Sequence, residues 1–521
     1  MTSETRPNGH VPRWVYLVAL VAVSFASRVP QLRSPNLLLD GDECVLGLMA
    51  KHLLESREFP IFFWGQHYGL STIEALAGAL FFRAFGVGAV PLKLAMHTLW
   101  TTGVLFLFGA WSAIVGHRRA FWISCVFVLT PAWAVWSMKA RGGYLTSFTA
   151  AAALLWLVIP QRRRDSVWRW ILAGALAAVI YFAQPLWLIG VIPIVAAVLV
   201  SRRRLSFAAA FVGAAAVPTA VAKLTIAPGP DAWTGPAVGN PSPWGMLQRV
   251  AEQIYVNQTG AYYLAWAVEP PGPATRTLAI VWCSLLLAVL LTQAGRIVTR
   301  RYSRWSHLLL VSTATTLIVT WVLLFARDAR YLLPLSGLLV PLAGLEASDF
   351  LDRQLISKRA VAGLTAGALV LGSISMAEFR RFSFLWTNPP NSWIEERRLQ
   401  QVINALGSRG VRHVYTMNGL LDTQLIFYSD EHVIARWASA EDRHPAYVHE
   451  VDRALDSGKP VAVVGYMNTS GAPGCWDVPI CTGGIDALVP NPETIFTVDN
   501  KYFVYVGATR DLLRTLHFDI R

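Results

Sequence analysis

The sequence predicts an α-helical polytopic membrane protein with a soluble α/β domain at its C-terminal end, and three observations carry this reading. The 521 residues are 54% hydrophobic and only 15% charged, with uncharged runs that reach the roughly 20 residues needed to cross a bilayer. The basic residues fall in short bursts between those runs. From about Glu378 onward the composition turns to that of an ordinary globular domain. A net charge of +13 concentrated at loop ends is a topology signal, so no nucleic-acid partner is expected.

The first apolar segment, from about Trp14 to Pro30, lacks a small-residue cleavage site and leads into further apolar runs. It reads as a retained first helix. Five basic bursts follow, at 117–119, 161–165, 201–204, 296–305 and 352–359, and the positive-inside rule puts all five in the cytoplasm. Each neighbouring pair is separated by enough apolar sequence for two spans, turning outside at 138–144, 183–185, 228–276 and 327–330. Counting backwards, the span from about Pro91 to Gly116 starts outside, and everything from Gln31 to about Val90 lies outside as well. That stretch includes STIEALAGALFFRAF at 71–85, which at roughly fifteen residues is too short to cross and is expected to be an outer interfacial helix. The count is about eleven spans. The membrane domain is then 1–377, with outer loops at 31–90 and 228–275, and 378–521 is an extracytoplasmic domain of a multi-pass cell-membrane protein. The 228–275 loop, Pro/Gly-rich and then helix-like, reads either as a lid over a lipid substrate or as a loop resting on the bilayer.

In the C-terminal part, NSWIEERRLQQVINALGSRG has helical apolar spacing and a Gly stop, and VRHVYT is a short β-rich run. LDTQLIFYS is helix or strand, HVIARW a strand, AYVHEVDRALDSGKP a helix and VAVVGY a strand. TIFTVDNKYFVYVG forms a hairpin turning at Asp499–Asn500. This alternation predicts a mainly parallel sheet. No Gly-rich phosphate loop opens a helix after any strand, so nucleotide binding is disfavoured. Of five cysteines, Cys475 and Cys481 are the two that form a candidate pair in an oxidising outer compartment.

The chemistry-bearing stretch is LLLDGDECVLGLMAKHLLE, which sets Asp40, Asp42 and Glu43 within four residues. Acids are costly in hydrocarbon, so the cluster belongs in water or a polar cavity. A helix cap accounts for one or two of them. Three, followed by an outer helix and FFWGQHYGLSTIEA, exceed what a cap needs. The ordered stretches DGDE (40–43), WGQHYG (64–69), AFG (84–86), ARGGY (140–144) and ARYLLP (329–334) resemble those of polytopic glycosyltransferases of the GT-C type. The bacterial branch concerned is similar to protein O-mannosyltransferases and the lipid A aminoarabinose transferase (glycosyltransferase family 39). The resemblance covers about 1–345, more loosely the C-terminal domain. It implies a GT-C fold, a sugar donor carried on polyprenyl monophosphate, an active site at the outer membrane face, and a lipid, polysaccharide or protein acceptor.

The resemblance places the general base at a first-loop acid, Asp42 with Glu43 as its neighbour, or else Asp40. A carboxylate can deprotonate an acceptor hydroxyl where the site raises its pKa. The leaving lipid phosphate needs cationic donors, which Arg forks supply well; Arg327, Arg330, Lys139 and Arg141 all fall on the outer side. The bland alternative for each is a snorkelling interface residue. Tyr331 and Tyr144 either bond the phosphate or belong to an aromatic belt. Relatives often carry a second acid in the outer loop after the third span, which in this chain reads KARGGY. Glu74 is either its substitute or a hydrogen-bonded structural acid. Gln66, His67 and Tyr68 are candidate substrate contacts. Clustered carboxylates suit a hard divalent ion, but nothing completes a ligand set at Asp40, Asp42 and Glu43, so no metal is expected. The alternative from another class is a transporter or flippase of a lipid-linked or envelope precursor, against which stand charges at loop ends and the lack of an internal repeat. A polytopic scaffold would explain the C-terminal domain but not DGDE.

Overall fold

The computed structural model describes residues 11–34, 37–159, 166–225, 242–260, 271–299, 311–316, 329–381, 392–438, 443–466, 495–499 and 502–520. In chain order the first part contains α1 (Arg13–Leu32), α2 (Gly41–Leu54), α3 (Thr72–Phe85), α4 (Ala89–Val115), α5 (His117–Val128), α6 (Tyr144–Val158), α7 (Val167–Ala183), α8 (Leu186–Arg202), α9 (Leu205–Thr225), α10 (Pro243–Thr259), α11 (Pro273–Val298), α12 (Leu333–Asp352) and α13 (Lys358–Glu378). Among the described residues six of these stretches are long and apolar enough to cross a membrane: α1, α4, Leu205–Ala222, Pro273–Arg296, Ala329–Asp352 and α13. Three more apolar helices, α6, α7 and α8, are shorter. This is a multi-pass helical membrane protein. The last expected span is α13, whereas the ninth, between the basic burst at 296–305 and the turn at 327–330, falls largely outside the described residues, as does the basic burst at 161–165.

The span after the first basic burst is broken. Past Val128 it bends by 64° into Pro131–Met138, as expected where Pro131 removes a backbone donor. Carbonyls freed by such a break need partners in hydrocarbon. Arg28, fully buried on α1, supplies them: its guanidinium donates to the carbonyls of Val128 at 3.1 Å and Trp133 at 3.4 Å and to Ser137 Oγ at 2.8 Å, and lies 5.1 Å from the Trp100 ring.

α3 is 14 residues long, about 21 Å of helix against a hydrocarbon layer of about 30 Å. It packs on α2 and α4. α10 lies in the long loop between α9 and α11; Asn257 Nδ2 donates to the Ala329 carbonyl at 2.8 Å and Gln258 Nε2 to Ser336 Oγ at 3.1 Å. These bonds fix the start of the ARYLLP stretch. The rest of that loop, at 226–241 and 261–270, lies outside the described residues.

The C-terminal part adds α14 (Ser392–Ser408), β1 (His413–Thr416), α15 (Leu421–Tyr428), β2 (Ile434–Trp437), α16 (Pro445–Asp456), β3 (Val461–Tyr466), β4 (Ile495–Val498), β5 (Tyr502–Val506) and α17 (Arg510–Thr515). The ambiguous LDTQLIFYS is thus a helix. The strands lie in the order β2-β1-β3-β5-β4. β1 pairs in parallel with β2 and β3, setting Val414 between Ala435 and Ala462. β5 is antiparallel to β3 and β4. The sheet is therefore mixed rather than mainly parallel, because the final hairpin adds to the open edge of β3. Helices feed the parallel half. The buried Arg436 of β2 donates through Nη1 to both Asp452 oxygens at 2.8 and 2.7 Å, and the Tyr415 hydroxyl donates to the same carboxylate at 2.9 Å. Cys475 and Cys481 lie outside the described residues.

α2 is buried from Gly41 to His52, packed against α3 and α15. Gly47 is what lets α15 approach: a Cβ there would stand 2.5 Å from the Phe427 ring. The contact is stitched by Gln424 Nε2 donating to the Leu39 carbonyl at 2.7 Å, the Thr423 hydroxyl to the Gly41 carbonyl at 3.0 Å, and the Leu39 N–H to the Tyr428 hydroxyl at 2.9 Å.

Candidate active site

The three acids of DGDE have three different environments. Asp40 is the N-cap of α2. Its Oδ1 accepts the Glu43 N–H at 2.9 Å, and Glu43 Oε2 accepts the Asp40 N–H at 3.3 Å, a reciprocal capping box. Its other oxygen lies 2.7 Å from Lys139 Nζ. Glu43 has no exposed surface. It is paired with Lys93 of α4 and, at 2.9 Å, with Lys139, and it accepts the Ala140 N–H at 3.2 Å. The cations outweigh burial, which by itself would raise this carboxyl, and hold it below the usual range. Asp42 is the most open of the three at 8% exposure. Its oxygens meet Arg141 Nη2 at 2.6 Å and Arg443 Nη2 at 3.1 Å. Burial pushes its carboxyl up, but Arg141, Arg443, Arg330 and Lys139 pull harder, and it too sits below the ordinary carboxylate range. Asp42 is therefore an ionised carboxylate at neutral pH, lowered by its arginine neighbours rather than raised as the base role was expected to require.

A second buried acid supports the cluster from the other side. Glu74 accepts the N–H groups of Leu145 at 2.9 Å and Thr146 at 3.1 Å on one oxygen, and that of Gly143 at 3.1 Å on the other. It caps the N-terminus of α6, where orphan N–H groups and the helix dipole favour negative charge. Burial raises its carboxyl to about 7 against the pull of those N–H donors. The segment 139–146 is thus clamped by Glu43 at one end and Glu74 at the other, with Lys139 and Arg141 facing the DGDE turn between them. Gly143, at φ +86°, completes the clamp, since a Cβ there would stand 2.8 Å from the Ala183 carbonyl.

The remaining sequence-derived candidates are spread around this centre. Arg330 lies close enough to act electrostatically on Asp42; its guanidinium is 5.1 Å from the Tyr331 ring and donates to the Tyr331 hydroxyl at 3.3 Å. Tyr144 is buried, its ring 4.6 Å from Trp136. Gln66 is half-buried, and His67 and Tyr68 are exposed, in a turn whose Gly69 would clash through a Cβ with the Gly142 carbonyl at 3.0 Å. Arg327 lies outside the described residues. Protein cations meet all three DGDE carboxylates.

Sequence reasoning missed two members of the centre. Lys93 carried a signal, a lone ammonium inside the apolar run PLKLAMHTLW, where a charge marks a buried partner. Arg443 carried none. It comes from the C-terminal part, 401 residues away from Asp42, and also lies 5.3 Å from the Phe63 ring.

No family model and no curated protein matches this chain. Solved structures do match in fold. ArnT from Cupriavidus metallidurans bound to undecaprenyl phosphate is similar at a TM-score of 0.55 and 13% identity over 95% of this chain and 98% of that one. Its apo state gives the same score and identity over 96% and 98%. The Archaeoglobus fulgidus oligosaccharyltransferase in its apo form gives 0.48 and 11% over 88% and 70%. The likeness to ArnT extends over nearly the whole of both chains, and it shows the GT-C glycosyltransferase fold.

Proposed function

We propose that this protein is a membrane glycosyltransferase that moves a sugar from a polyprenyl-phosphate donor to an acceptor hydroxyl at the extracytoplasmic face, with Asp42 as general base. One observation carries the reading: within a buried acidic turn, Asp42 is an ionised carboxylate at the open edge, ringed by guanidinium groups. The fold match to ArnT, whose structure holds undecaprenyl phosphate, supports the donor class. In the reaction Asp42 takes the proton of the acceptor hydroxyl as its oxygen bonds to the anomeric carbon. The bond from that carbon to the phosphate oxygen breaks, and the electron pair leaves on the lipid phosphate. Arg330 and Arg141 are the nearby forks suited to that anion. Glu43, Lys93 and Glu74 act as positioning residues that hold the turn and the 139–146 segment.

The test uses purified protein in proteoliposomes supplied with polyprenyl-phosphate sugars. Glycosyl transfer predicts cleavage of the sugar–phosphate bond and accumulation of free polyprenyl phosphate. Movement of intact donor between leaflets with no cleavage would instead establish the transporter reading and refute ours.

A further inference from the structure

Away from DGDE, a second group of side chains joins α2 to the C-terminal part. His52 of α2, Glu58 just beyond it and His444 at the entry to α16 present one ligand atom each, all within 4.8 Å of one another. Glu58 Oε2 stands 3.4 Å from His444 Nε2 and 3.9 Å from His52 Nδ1. In a tetrahedral zinc site with bonds of about 2.0–2.1 Å, ligand atoms stand about 3.3 Å apart. The Glu58 separations of 3.4 and 3.9 Å lie near that edge, and the third pair stands within 4.8 Å.

The surroundings are those of a metal site rather than of a chance cluster. His52 Nε2 lies 3.0 Å from Glu431 Oε1, so an Nε2–H donated to that carboxylate leaves Nδ1 with its lone pair facing Glu58. A carboxylate behind a ligating imidazole fixes its tautomer and raises its basicity. The Trp64 indole N–H donates to Glu58 Oε1 at 3.2 Å, which turns Oε2 toward both histidines. The Trp64 ring also lies 4.1 Å from that of His444 and 5.0 Å from that of His52, holding both imidazoles in place.

The geometry points to a zinc-class divalent cation held by His52, Glu58 and His444. Two imidazoles and a carboxylate favour zinc over magnesium or calcium, and a fourth position is left for water. The site would clasp the C-terminal part onto α2. His444 follows Arg443, which reaches Asp42, and His52 lies near the far end of α2 from Asp42, so the ion would pin both sides of that contact. This inference does not depend on the glycosyl-transfer reading, because metal content and coordination are measured without any substrate.

The test is elemental analysis of the full-length protein purified in detergent without chelator, followed by replacement with Co²⁺. About one zinc per chain is expected. The cobalt form is expected to show the visible d–d absorption of a four-coordinate site. His444→Ala and Glu58→Gln should each weaken binding more than tenfold and abolish that band; Glu58 is partly exposed, so Glu58→Gln is the variant least exposed to folding failure. EDTA should lower the melting temperature of wild type and leave both variants unmoved. Absence of bound metal together with no spectral band and no EDTA effect in wild type would overturn the proposal, as would a band that survives unchanged in Glu58→Gln.

Discussion

Asp42→Asn and Glu43→Gln separate the roles of two adjacent acids, one a base and the other an anchor. Asn keeps the shape of Asp42 but cannot take a proton, and general-base assistance is worth about 10²–10⁴-fold, or about 2.7–5.4 kcal/mol of barrier. The cations left behind, Arg141 and Arg443, are 18% and 35% exposed, and Arg141 keeps Asp40 at 3.8 Å, so Asp42→Asn should cost less than breaking a fully buried pair. Glu43 is the opposite case. Its partners Lys93 and Lys139 are both at 0% exposure, and removing the charge between them deprives two buried ammonium groups of the carboxylate they share, a loss of about 3–5 kcal/mol. The assay pairs thermal unfolding in detergent with polyprenyl phosphate release in proteoliposomes. Asp42→Asn should melt closer to wild type than Glu43→Gln does and lose transfer; Glu43→Gln should melt early. An Asp42→Asn protein that keeps more than about a tenth of wild-type transfer, beside a Glu43→Gln protein that folds normally and is inactive, would reverse the assignment.

Arg443→Ala removes one of the charges that keep the Asp42 carboxyl below its usual range. A depressed carboxyl stays ionised until the pH falls through its lowered value, so the acid limb of kcat/KM should move to higher pH, and an unmoved limb would show that Arg443 does not act on the base. Glu74→Ala strands three buried N–H groups at the start of α6, each costing about 1–3 kcal/mol, whereas Glu74→Gln keeps an acceptor and should cost less; equal melting points for the two would refute the cap. Gly143→Ala places a Cβ at φ +86° and 2.8 Å from the Ala183 carbonyl, for about 1–2 kcal/mol from the left-handed backbone alone, read as a lower melting temperature with reduced transfer.

What was legible in the sequence was what is encoded locally. The segment read as Trp14 to Pro30 is Arg13–Leu32, the one from Pro91 to Gly116 is Ala89–Val115, and the stretch 71–85 that was too short to cross is Thr72–Phe85. In the C-terminal part AYVHEVDRALD and VAVVGY fall within Pro445–Asp456 and Val461–Tyr466. Where local pattern was ambiguous, as in LDTQLIFYS, contact with α2 decides it: Thr423, Gln424 and Tyr428 all bond to the Leu39–Gly41 backbone. The break at 128–131 was harder to read, because the arginine that satisfies it sits on another helix.

The candidate centre divides in the same way. Sequence by itself determined that DGDE, ARGGY and ARYLLP exist, since hydropathy and charge are properties of neighbouring residues. Only the tertiary structure decided that Asp40 meets Lys139, that Glu43 is locked between Lys93 and Lys139, and that Glu74 holds the start of α6. It alone brought Arg443 across the chain to Asp42. Each of these depends on which buried charge finds which partner, and in a low-dielectric interior that pairing is set by long-range packing, which no local periodicity records.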